Sequence, residues 1–171
     1  QGIRHNWLVG SMATSGMILT GCMLLLICRV TLFFYLSLRS ELTSYAEGAA
    51  AYLTRYSFSD QNAVQAGARS YIASFEERDI MEIQYLDADG VLIQSSLGRA
   101  AGISPQGSDI TDVLAGESTA MWHGRDRSTG ETVMSVSAAL LTSEGSVMGI
   151  IRCVSSLRTV NLQIIEYCCG A

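Results

Sequence analysis

The densest cluster of chemically capable side chains is Trp122-His123-Gly124-Arg125-Asp126-Arg127. Two guanidinium groups this close can grip a carboxylate in bidentate fashion, because the planar fork of N–H donors matches the two oxygens. The indole beside them offers an apolar wall, and the imidazole is a side chain that could sense pH. The ligand-binding candidates are therefore Trp122, His123, Arg125 and Arg127, joined by Tyr85 and Met134 on neighbouring predicted strands. The same residues fit a second arrangement, in which the hairpin is exposed, its charges pair with one another, and Tyr85 and Met134 belong to the core.

Other constellations are absent or incomplete. Asp87-Ala88-Asp89-Gly90 opens like a calcium loop, but the glutamate needed at loop position 12 is replaced by Gly98. The segment therefore reads as a hairpin turn. Neither histidine, His5 or His123, is followed by an acidic residue as a kinase phosphoacceptor typically is. No Gly-rich nucleotide box and no Gly-x-Ser-x-Gly elbow occurs. The five cysteines show no CxxC or zinc spacing. Only Cys153 falls in the globular part, so no disulfide is expected there. The adjacent Cys168-Cys169 reads as apolar filler, with redox chemistry or acylation as alternatives. The expectation is a chain with no catalytic residues, no metal and no cofactor.

At the level of whole segments, the charged fraction is only 16%, below the roughly 25% of soluble domains. The shortfall is local. Between Arg4 and Arg29 lie 24 residues without a formal charge, with His5 neutral. Trp7 to Cys28, WLVGSMATSGMILTGCMLLLIC, holds 22 residues, about 33 Å as helix, close to the hydrocarbon thickness. Arg4 precedes the run and no acid does. The positive-inside rule therefore puts the N-terminus in the cytoplasm and the residues beyond the run outside it. Phe33, Phe34 and Tyr35 suit the interfacial belt. A lipoprotein box at Leu19-Thr20-Gly21-Cys22, acylated at Cys22, is the weaker alternative, because MLLLIC comes next where such proteins turn polar. A cleaved signal would have a shorter apolar core. Ser11/Ser15 and Gly16/Thr20 have the four-residue spacing that permits close helix contact. Gln1 points to a start that precedes this sequence. From residue 30 on, 9 Arg face 16 acidic residues, a net charge of −7. That balance argues against nucleic acid, whose phosphates need a basic face, and against lying flat on an anionic bilayer.

The remaining segments must position the cluster. Leu38, Leu42, Tyr45, Ala49, Tyr52 and Leu53 recur at helical steps, and no proline separates them from the apolar run. One continuous helix is predicted, then a second, AVQAGARSYIASFEER, capped by Ser59 or Asp60. The period then changes from 3.6 to 2. MEIQYLD and VLIQS flank Asp89-Gly90, a strong hairpin signal. A Gly/Ser-rich loop comes next, then a short helix DITDVLAGE that Asp109 could cap. STAMWHGRD, ETVMSVSAALL and SVMGIIRCVSS read as a three-stranded meander. The tail LRTVNLQIIEYCCGA turns apolar again. The expected fold class is α+β: a transmembrane helix continuing into a long helix, then a five-stranded antiparallel sheet with helices on one face. The expected divisions are 7–36 for the membrane helix and juxtamembrane segment, 37–160 for the domain, and 161–171 for the start of a second membrane helix.

Over residues 37–160 that order resembles the extracytoplasmic PAS-like, or single Cache, sensor region of bacterial membrane-bound two-component histidine kinases. IQYLDADGVLIQSS, DITDVLAGE and GETVMSVSAALLTSEGSVMGIIRCVSSL carry the resemblance, with Gly116-Glu117 and the glycines Gly145 and Gly149 in matching places. The resemblance implies a bacterial cell-membrane homodimer with its sensor domain extracytoplasmic. It also implies a pocket lined by the Trp122 strand for an unknown small-molecule or protein signal, and a kinase beyond the second membrane helix. A chemoreceptor or cyclic-dinucleotide enzyme with the same input region remains an alternative, as does a membrane-tethered binding module without signalling output.

Overall fold

A single helix runs out of the apolar stretch and into the folded domain. The structure, a computed structural model of the chain, describes residues 2–56 and 61–158. Helix α1 (Gly2–Tyr56) has two halves in different surroundings. Residues 11–26 are exposed throughout, and the stretch is long and apolar enough to cross a membrane. The Thr14 and Thr20 hydroxyls donate to the Ser11 and Gly16 carbonyls, both at 2.9 Å, so their polar atoms are met within the helix. From Leu38 onward one face is buried: Leu38, Leu42, Ala46, Ala49 and Leu53 follow the helical repeat. Helix α2 (Gln61–Ala73) buries Val64, Ala68 and Ile72. Gly67 lies beside Leu53, so a small residue sits where the two helices meet. Arg78 then donates to the carbonyls of Phe75 and Ala73, at 2.9 and 2.7 Å, and satisfies groups that the end of α2 leaves open. The expected caps Ser59 and Asp60 and the expected apolar segment 161–171 lie outside the described residues.

The strands are β1 (Glu82–Asp87), β2 (Leu92–Ser95), β3 (Thr119–Arg125), β4 (Thr132–Leu141) and β5 (Val147–Ser156), with helix α3 (Ser108–Leu114) between β2 and β3. They form one sheet in the order β2-β1-β5-β4-β3, with each neighbouring pair antiparallel. Hairpin β1–β2 and meander β3–β4–β5 are local. The β1–β5 pairing joins them across the middle. At the first turn Gly90 takes φ +75, and the Asp87 carboxylate accepts from the amides of Asp89 and Val91 at 3.0 and 2.9 Å. That carboxylate is committed to the turn.

The period-2 alternation sorts side chains between two faces. Ile83, Tyr85, Met134, Val136, Ala138, Leu140, Ile151 and Cys153 meet α1 and α2 in the main core. On the other face Leu86 and Ile150 pack with Ile110 and Val113 of α3. The two long helices thus cover one face, and the short α3 covers part of the opposite one. Burial pushes the Cys153 thiol up to about 12, so it stays a neutral core residue.

Leu42 is fully buried between α1 and the sheet. Leu42→Ala is expected to lower unfolding free energy by about 2–5 kcal/mol through the cavity it leaves, read by denaturant titration of the detergent-solubilised chain. Ser44→Ala, on the exposed side of the same helix, should change it by less than about 0.5 kcal/mol.

Candidate ligand pocket

The sheet face turned away from α1 and α2 carries buried polar residues: Glu82, Gln84, Ser135, Ser137 and Arg152. Arg152 lies on central strand β5 and is only 3% exposed, so its charge needs a partner. Asp109, 0% exposed, supplies it. Its Oδ2 accepts from Arg152 Nε at 2.8 Å and from the Ser135 and Ser137 hydroxyls at 2.9 and 2.8 Å. Arg152 Nη2 donates to the Gln106 carbonyl, the Ser135 hydroxyl and Asp109 Oδ1. Nη1 has one long contact, 3.5 Å to Gln84 Oε1. The expected capping role of Asp109 is corrected here. Gly107 occupies the N-cap position with no side-chain cap, and the Asp109 carboxylate turns inward to neutralise Arg152. Gly107 has φ +152, and a Cβ there would lie 2.0 Å from Asp109 Oδ1 and 2.8 Å from Arg152 Nη2. Glycine is the residue that lets the loop pass this close.

Strand β3 adds the wall. Trp122 stands opposite Ser135 in the ladder, and its indole folds back over Gly124, where a Cβ would fall 2.1 Å from the ring. The Arg152 guanidinium carbon lies 5.9 Å from the indole centroid, a cation–π distance. The segment 97–107 straps this face. Arg99 donates to Glu82 Oε2 at 2.8 Å and pairs with Asp126 Oδ2 at 3.0 Å, and it reaches the Ser128 hydroxyl. Glu82 also accepts from Ser95 and Gln84. One arginine of the strap therefore ties the start of β1 to the β3–β4 turn. Burial opposes ionisation of Asp126, but hydrogen bonds from the Ser128 amide and hydroxyl and the Arg99 charge outweigh it and hold the carboxyl below its usual range.

Strap, sheet and turn border an open-mouthed pocket of about 610 Å³. Gln84 and Arg152 floor it, Trp122 walls it, and Ile103 and Pro105 roof it. The volume is within the range of small-molecule sites. The six sequence candidates divide between the faces. Trp122 and Arg127 line this pocket. His123 is on the opposite face, its ring 6.5 Å from that of Tyr35. Arg125 is exposed and donates through Nε to the Gly130 carbonyl at 2.7 Å, closing its own turn. Tyr85 and Met134 are in the core under α1 and α2, and burial, then the Asp87 charge, raises the Tyr85 phenol. Gln84, Arg99 and Arg152 are the polar residues that sequence reasoning passed over, and Asp109 is one that it read only as a helix cap. The signal for Arg152 was a lone charge inside the apolar run GIIRCV. Among the described residues no group of acidic, His or Cys side chains is arranged to hold a metal.

Arg152→Ala leaves the Asp109 charge buried and unpaired, and is expected to cost about 3–5 kcal/mol, while Asp109→Leu with Arg152→Met recovers most of that. Denaturant titration distinguishes the two. Asp126 has its pKa depressed by folding, so its contribution is present above the unfolded pKa and is lost as pH falls through the folded value. Asp126→Asn should remove that part of the acid sensitivity, seen as a flatter plot of melting temperature against pH below the usual carboxylate range.

No family model matches the sequence, and no curated protein matches it. Solved structures do. The ligand-binding domain of the Pseudomonas aeruginosa PAO1 amino-acid chemoreceptor PctC, in complex with GABA, aligns with TM-score 0.60 at 16% identity, over 89% of this chain and 65% of that one. The E. coli DcuS sensor domain aligns with TM-score 0.53 at 18% identity, over 75% of this chain and 98% of that one. The sensor domain of the V. cholerae histidine kinase DctB aligns with TM-score 0.53 at 14% identity, over 82% of this chain and 56% of that one. This chain spans just under two thirds of the PctC domain it matches. Identities this low speak for the fold: a long apolar N-terminal helix leading into the five-stranded antiparallel sheet of PAS-like, Cache-type sensor domains.

Proposed function

We propose that this chain is the signal-sensing and membrane-anchoring region of a bacterial receptor, with a small-molecule ligand in the pocket under the 97–107 strap. The observation that carries the reading is the cleft of about 610 Å³ lined by Arg152. The three guanidinium nitrogens are unequally used. Nε and Nη2 are consumed by Asp109, Ser135 and Gln106, and Nη1 has only its long contact to Gln84. A carboxylate or carbonyl oxygen brought to Nη1 supplies the missing acceptor, with an apolar part against Trp122. Arg127 stands at the rim as a second cation. The similar fold of PctC supports the same reading, since that amino-acid chemoreceptor domain is solved with GABA.

The finer reading is the input region of a sensor histidine kinase, in line with the fold match to DctB. A chemoreceptor is the second reading, favoured by the match to PctC. In either, the sensor domain is extracytoplasmic, the chain pairs as a homodimer, and α1 carries the pocket's state toward the membrane. Such coupling requires two states of different ligand affinity.

A thermal-shift screen of the chain over carboxylates, amino acids and peptides tests the proposal. A ligand at 100 times its dissociation constant is expected to add about 2.7 kcal/mol of stability. Trp122→Ala should abolish the shift and Arg125→Ala should leave it. A folded chain with no shift across the panel would sink the small-molecule reading in favour of a protein partner.

A further inference from the structure

The turn at the end of β3 is placed by its contacts with α1. Near the start of β3 the Thr119 hydroxyl donates to Glu47 at 3.2 Å. Four residues on, the His123 ring lies 6.5 Å from that of Tyr35. Strand β3 therefore runs antiparallel to α1 and heads toward its apolar half. Arg125 lies about 7 Å further along at strand rise, a length that about four or five helical residues cover. That brings it level with about residue 30 of α1, and the turn beyond it level with Arg29. Apolar side chains of α1 just beyond this height are bare: Leu32, Phe33 and Leu36 are 53%, 68% and 55% exposed.

Charge is sorted along the same axis. The turns at the far end carry Asp87 and Asp89 between β1 and β2, Glu144 between β4 and β5, and Asp112 and Glu117 before β3, with no arginine among them. The near end carries Arg29, Arg125, Arg127 and Arg158. The two acids of the β3–β4 turn are already engaged, Asp126 by Arg99 and Ser128 and Glu131 by Arg158 and Ser156, while exposed Asp79 lies nearby before β1. Arg29, Arg125 and Arg127 are exposed and form no ion pair, as is also true of Arg39, Arg55 and Arg69 elsewhere among the described residues. In a chain whose residues from 30 on carry a net charge of −7, the β3–β4 turn thus keeps two arginines without an acidic partner where α1 turns apolar.

We propose that the β3–β4 turn, through Arg127 and Arg125 together with Arg29 of α1, docks on phospholipid headgroups and binds their phosphates. The inference rests on α1 being a membrane anchor. Arginine suits the role because its fork of donors matches a phosphate and its charge is attracted to an anionic surface. The acidic turns at the far end oppose its contact with an anionic surface. The same turn forms the pocket rim, so headgroup contact and pocket geometry share Arg127.

The test uses the full chain in nanodiscs of phosphatidylcholine, with or without phosphatidylglycerol. The five native cysteines are replaced, and one cysteine at Thr129 or, as the far-end control, at Glu144 carries an environment-sensitive fluorophore. Headgroup spin-labelled lipid is the quencher. Quenching at 129 and none at 144 is expected, with phosphatidylglycerol strengthening it. Arg127→Gln is expected to cut the phosphatidylglycerol-dependent gain about five-fold and Arg127→Lys to retain most of it. Discs that hold the chain but show equal quenching at both sites, or none at 129, overturn the docking while leaving the anchor intact. Quenching at 129 that ignores Arg127→Gln overturns the phosphate contact. A chain that does not enter discs overturns both the anchor and the docking. Should the cysteine-free chain fail to fold, amide exchange in the unlabelled chain decides: segment 124–132 is expected to slow on adding phosphatidylglycerol while 142–148 does not, and no difference overturns the proposal.

Discussion

Arg152 sits on the central strand with almost no exposed surface, and a guanidinium in that position cannot be left unmet. Much of the second face results from meeting it. Asp109 has to come inward, so α3 is drawn across the sheet at the height where Ile110 and Val113 reach Leu86 and Ile150. Ser135 and Ser137 face the same carboxylate from β4 and complete its acceptor needs. The strap must pass near the ion pair, which is why Gly107 stands where any Cβ would collide. A buried pair of this kind is weak evidence for net stability. Its larger effect is geometric: it fixes where α3 and the 97–107 strap lie, and so decides that the sheet is roofed and that the roof leaves a pocket.

The opposite face is governed by hydrophobic burial. Leu42, Leu53, Ile72, Ile83 and Ile151 are fully buried between the helices and the sheet. This is the ordinary source of a domain's stability, at roughly 25 cal/mol per Å² of apolar surface removed from water. The two faces are joined through the same strands. On β5, Ile151 and Cys153 touch the helix side while Arg152 between them touches the pocket side. A displacement of Arg152 is therefore a displacement of the strand that supports α1. That continuity is the physical basis on which a pocket event and a helix movement can be coupled in the proposed receptor.

The α1 helix has two kinds of surroundings. Between residues 11 and 26 the side chains stay bare. In its second half the same backbone offers one apolar stripe to the core. The helix is uninterrupted from residue 2 to 56, so both parts share one hydrogen-bonded backbone.

What the sequence determined by itself was whatever is local. The switch from a 3.6 to a 2 residue period located the helices and strands, Asp89-Gly90 fixed the first turn, and the charge-free run from His5 to Cys28 marked the apolar half of α1. Trp122 stood out in the sequence, and the structure sets its indole over Gly124 and beside Arg152. The pairing of β1 with β5 was left to the tertiary structure, since register between segments some 65 residues apart has no local signature. So was the choice of arginine. Arg125 and Arg127 were conspicuous because they lie close in sequence, yet strand alternation turns Arg125 to the turn and His123 to the helices. Arg152 and Asp109 are 43 residues apart. Nothing in either neighbourhood names the other, because a buried charge chooses its partner by distance in space after the sheet has closed.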